Sequence, residues 1–62
     1  MSSSYHFVSY EIRYKGSREY QWIAEIHNDQ GMVMVRSEPQ PTEEAAFDRA
    51  TAKAAVVGLV VS

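Results

Sequence analysis

Across Pro39-Gln40-Pro41-Thr42-Glu43-Glu44 the spacing of apolar residues changes from every second position to every third or fourth. Alternation at period two puts one side of a strand against a core. A period near 3.6 does the same for a helix. Everything before the switch reads as strand and everything after it as one Ala-rich helix. The chain is therefore expected to be an α+β domain, a three-stranded antiparallel meander with one C-terminal helix packed across one face (β-β-β-α).

The strands follow from local pattern. Residues 5–14 alternate, with Val8, Tyr10, Ile12 and Tyr14 on one side and Phe7, Ser9, Glu11 and Arg13 on the other. Lys15-Gly16-Ser17-Arg18 is a turn. Residues 19–27 place Tyr20, Trp22, Ala24 and Ile26 on a shared apolar side, against Gln21, Ile23, Glu25 and His27. Asn28-Asp29-Gln30-Gly31 is the strongest turn signal, because Asn and Asp side chains bond nearby backbone and Gly accepts positive φ. Residues 32–37 form the third strand, apolar at four successive positions.

Two registers for that strand compete. A three-residue loop with Gly31 left-handed sets Asn28 opposite Met32 and Ile26 opposite Met34, so the methionines face the core and Val33 and Val35 face away. A two-residue loop reverses the faces, since a slip of one residue swaps every side chain. The three-residue loop is favoured. Ser37 to Pro41 is a linker in which two prolines end the sheet. Thr42 is a good N-cap and Glu43 and Glu44 complement the helix dipole. The helix is expected over residues 43–60, with Phe47, Ala50, Ala54, Val57 and Val61 inward. Gly58 interrupts it near its end. Residues 1–4 are a disordered lead-in, and the whole is a single domain.

A chain of 62 residues buries only about 60% of the surface its unfolded form exposes. Such domains usually need disulfides, a metal or a partner chain. Cysteine is absent, which removes disulfides, thiolate metal sites and thiol nucleophiles together. Self-association is the remaining support. After Lys53 the residues Ala55, Val56, Leu59 and Val60 are apolar all round the helix, and Phe7, Ile23, Val33 and Val35 make a second surplus on the far sheet face. Exposed apolar area of this kind marks association. The expected interaction surface is Ile23, Val33, Val35, Val56, Leu59 and Val60, and the expected partner is a second copy of the chain or another protein.

Chemistry is sparse. Glu25 and His27, two apart on one strand, project together, as a general base with its orienting acid or half a metal site would. The plainer account is a polar strand face. No HExxH, CxxC or G-x-S-x-G motif is present, and Gly16, Gly31 and Gly58 are too far apart to form a phosphate loop. The expectation is a non-enzymatic module with no cofactor and no metal. Arg13, Tyr14, Lys15 and Arg18 in the first hairpin carry the alternative, nucleic-acid contact through phosphate neutralisation and base stacking. A net charge of −2 does not favour it. The longest apolar run, Ala54 to Val61, is well below the roughly 20 residues that span a bilayer. The start Met1-Ser2-Ser3-Ser4 lacks the basic and apolar regions of a signal peptide. A soluble, cytoplasmic protein is the expectation.

The stretch W-I-A-E-I-H-N-D-Q-G-M-V-M-V-R-S-E, followed by T-E-E-A-A opening the helix, resembles the small bacterial YegP-like domain of unknown function over about half the chain. That family has a strand, an N-G-type turn, a strand ending in S-E and then a helix, and its unit occurs in tandem or pairs with itself. The resemblance thus implies self-pairing here too. The β-β-β-α order also resembles the latter part of the double-stranded-RNA-binding domain. That family opens its last helix with a lysine-rich phosphate-binding motif, whereas Glu43-Glu44-Ala45-Ala46 puts acid at this position, and its N-terminal helix has no counterpart here.

Overall fold

The alternating segments pair as β1 (His6–Ile12), β2 (Gln21–His27) and β3 (Val33–Arg36), and the Ala-rich segment forms α1 (Glu43–Val57). The computed structural model describes residues 4–13, 15–16 and 18–59. The strands lie side by side in the order β1-β2-β3, both neighbours antiparallel, with α1 across one face. This is the α+β architecture that the change of period implies.

Ala24, Ile26, Val35, Ala46, Ala50 and Ala54 form the buried core, with Tyr5, Trp22, Phe47 and Leu59 packed against it. Alanines at 46, 50 and 54 keep recurring on one helix stripe, so the helix backbone sits close to the sheet. Of the expected inward residues, Ala50 and Ala54 are buried. Phe47 is half-buried and turned toward β1, where its ring meets Phe7 edge-on at 5.1 Å. Val57 is exposed, and Val61 lies outside the described residues.

Phe7 lies on the opposite side from the one expected. It pairs with Ile26, which places it on the helix side of the sheet, not the far side. Val8, Tyr10 and Ile12 consequently take the open face. Because β1 has apolar residues on both sides, alternation alone does not say which side meets the helix.

The turn into β3 forms as expected. Asn28 N–H donates to Met32 O at 3.0 Å, its Oδ1 accepts from Gln30 and Met32 N–H, and Gly31 has φ 81°. Two residues on, the expectation fails. His27 stands opposite Val33 but Ile26 stands opposite Val35, so Met34 is an extra residue in a β-bulge. Val35 is therefore a core residue, 7% exposed, and not part of a surface, while Met34 is 44% exposed. The bulge has a polar cause. It carries Arg36 to the open face opposite Glu25, and it puts Ser37 on the covered side, where Ser37 Oγ accepts from Ala24 N–H at 3.0 Å.

The prolines do not end the pairing. Trp22 and Gln40 exchange backbone hydrogen bonds at 2.7 and 2.9 Å, with Glu38 and Pro39 across from Ile23. Thr42 then caps α1, its Oγ1 accepting from Ala45 N–H at 3.1 Å. At the other end Gly58, with φ 81°, closes the helix three residues earlier than expected. Gly58 N–H donates to Ala55 O and Leu59 N–H to Ala54 O, the paired bonds of a Schellman motif. The glycine is thus the stop signal, not an interruption. It folds Leu59 back against the core, so Leu59 too is withdrawn from the expected surface.

Candidate interaction surface

With α1 on one face, the other face of the sheet is open. Val8, Tyr10 and Ile12 from β1 lie there with Ile23 from β2, all half-buried, and exposed Val33 from β3. Two of the expected surface residues, Ile23 and Val33, therefore share this face, but apart from each other, because Val33 stands opposite His27 with Glu25 between it and Ile23 along β2. Val56 is 87% exposed but on the helix, away from them. Val60 lies outside the described residues.

A polar cluster divides this face. Glu25 is 5% exposed although no second layer among the described residues covers it. Its neighbours on the sheet enclose it. Tyr10 from β1 donates its hydroxyl to Glu25 Oε2 at 2.6 Å, Arg36 beside β2 donates Nε to the same oxygen at 2.8 Å, and His27 donates Nε2 to Oε1 at 2.9 Å. Tyr10, Glu25 and Arg36 come from three different strands, so one carboxylate ties the whole sheet together. The ring of His6 stands edge-on to His27 at 5.5 Å.

Burial alone would push the Glu25 carboxyl up. The hydrogen bonds donated by Tyr10, His27 and Arg36 outweigh it, with the positive charge of Arg36, and hold the carboxyl at about 2. The Tyr10 hydroxyl is raised, first by its bond to the Glu25 carboxylate, then by burial and by the Glu25 charge. A carboxylate with so low a pKa and its oxygens already occupied is a poor proton acceptor near neutral pH. The chemistry of this cluster is that of a clamp. Glu25 and His27 do project together, as their spacing implies, but Tyr10 and Arg36 complete the cluster. Sequence spacing hides both, because they become neighbours of Glu25 only once the register is known. Among the described residues, no group of three or more His, Asp or Glu side chains is placed to hold a metal.

The first hairpin holds the basic set in part. Arg13 lies over the Tyr20 ring at 5.6 Å, a cation–π contact that occupies that aromatic face, and Lys15 and Arg18 are exposed. Tyr14 lies outside the described residues. A second ion cluster borders the helix: Glu38 meets Lys53 Nζ at 2.9 Å and Arg49 Nε at 3.2 Å, and Lys53 also donates to Arg36 O at 2.8 Å. Among the described residues no cavity is found, and no helix is long and apolar enough to cross a membrane.

Comparison with protein-family models, curated proteins and solved structures finds no match, so the two resemblances rest on the residues quoted for them.

Proposed function

We propose that this chain is a small non-enzymatic protein-interaction module that acts as a homodimer. The observation that supports the reading is the one-sided sheet. A single helix covers one face, while Val8, Tyr10, Ile12 and Ile23 gather on the other, which no further element among the described residues covers. Apolar side chains grouped on an open face favour association, because removing them from water gives about 25 cal/mol for each Å² buried. The buried core among the described residues, four alanines, one valine and one isoleucine, is also small, so a second copy would add burial to a domain of this size.

Light scattering on the purified protein tests this directly. The expected mass at micromolar concentration is twice that of one 7.0 kDa chain, with dissociation on dilution. A mass of one chain across the whole concentration range rejects the reading.

A further inference from the structure

The two edges of the sheet are built differently, and only one is guarded. On one edge β3 is four residues long and interrupted by the bulge at Met34, and the irregular pairing that continues to Gln40 runs through Pro39 and stops before Pro41. Its Arg36 carbonyl is already taken by Lys53 Nζ. Short length, bulges, prolines and lysines are the devices by which natural edge strands avoid pairing with another chain. The β1 edge has none of them. It runs seven residues, His6-Phe7-Val8-Ser9-Tyr10-Glu11-Ile12, with every residue in register against β2, no proline, no lysine and one acidic residue. Its outer row of backbone N–H and C=O groups has no partner strand among the described residues.

We infer that a second copy of the chain adds to this edge, β1 against β1 in antiparallel register about Ser9, making one six-stranded sheet. The inference rests on the homodimer reading and names its interface. A symmetric pairing that keeps the full strand length sets Ser9 opposite its own copy, Val8 opposite the partner's Tyr10, Phe7 opposite the partner's Glu11 and His6 opposite the partner's Ile12. No charge then faces a like charge. The two Val8–Tyr10 pairs are of the aromatic and β-branched kind that stabilise adjacent strands. Phe7, still exposed at the outer edge despite its contact with Phe47, gains cover as well.

Stacking the open faces on each other is the competing geometry, and the polar cluster opposes it. The Arg36 side chain is 60% exposed, and a second sheet laid over it would strip water from the guanidinium with no added carboxylate to compensate. Pairing at the edge leaves the Arg36 guanidinium in water. It also extends what this face already does, which is to bury side chains sideways: Glu25 is enclosed by its strand neighbours alone.

Two variants and one control variant decide the matter, read against the mass of the unmodified protein. Val8→Lys puts an edge-guarding lysine on β1 and should raise the dimer dissociation constant about tenfold or more, with the circular dichroism unchanged. Ser9→Cys, in a chain without other cysteines, should form a disulfide-linked dimer under mild oxidation, whereas Gln30→Cys in the distant turn should not. If Val8→Lys fails to fold, the cysteine pair still decides. A dimeric protein in which Ser9→Cys links no faster than Gln30→Cys overturns the edge pairing and leaves the homodimer standing. A protein that is monomeric throughout removes the homodimer reading and the edge pairing with it.

Discussion

The two faces of this sheet reach burial by different means. On the covered face Ala24, Ile26 and Val35 lie under the alanine stripe of α1, and a second layer of structure keeps water out. On the open face Glu25 is nearly as enclosed, yet its shield is one residue thick and polar: Tyr10, His27 and Arg36. The first arrangement is stabilised by removing apolar area from water. The second is stabilised by satisfying a charge completely, and no buried side-chain nitrogen or oxygen among the described residues lacks a partner. A domain of this size can therefore treat one strand as core on both sides. Residues Ala24, Glu25 and Ile26 in the middle of β2 are all buried, although they alternate between the faces.

The largest effect is expected on the covered face. Ile26 is the one large side chain that is fully buried among the described residues, and it sits where β1, β3 and the helix meet. Replacing it by alanine removes three carbons that the surrounding alanines are too small to replace. Ile26→Ala should cost about 2–5 kcal/mol, comparable to the whole stability of a small domain. Urea denaturation followed by circular dichroism measures it. A loss below about 1 kcal/mol would mean that the covered face is not the main source of stability.

On the open face the corresponding change is Glu25→Gln, which keeps shape but removes charge and turns two acceptor sites into donors. Tyr10, His27 and Arg36 then compete for one remaining oxygen, and the expected loss is about 1–3 kcal/mol. The pH dependence has a definite sign. The Glu25 carboxyl lies at about 2 in the folded protein against 4.5 ordinarily, so its contribution is fully present above 4.5 and is lost as pH falls from 4.5 toward 2. The unmodified protein should lose stability over that window more steeply than Glu25→Gln does. Equal slopes in acid would show that the three donors do not hold the carboxylate as the structure has them.

How much of this was legible depends on how far apart the deciding residues are. The order of elements, the cap at Thr42 and the loop closed by Asn28 and Gly31 rest on neighbours within four positions, and a pattern of residues can express them. The bulge at Met34 rests on Arg36 reaching Glu25, on Ser37 receiving Ala24 N–H and on Lys53 of the helix holding the Arg36 carbonyl. Those contacts join residues 11 to 17 positions apart, and apolar character at four successive residues of the third strand gives no hint of them. Gly58 shows the same limit at short range. Its cost inside a helix is visible in sequence, whereas its use as a stop depends on Leu59 finding core to fold against. The Glu25–His27 pair could be read from spacing, while its partners Tyr10 and Arg36 required the register.

The smallest expected effect separates charge from burial. Glu38 beside the helix is also held at about 2, first by the bond from Lys53, then by its own backbone and by Arg49. Both carboxyls are thus held well below their ordinary value, while one is enclosed and the other is half-exposed. Salt tells them apart. At about 1 M the screening length is about 3 Å, so an exposed ion cluster is largely screened while a buried one is screened much less. Carboxyl titration by nuclear magnetic resonance should show Glu38 moving up toward its ordinary value in high salt and Glu25 staying low. If both carboxyls move together, the open face is wetter than its geometry indicates, and Glu25 is held by charge at the surface and not by an enclosed set of donors.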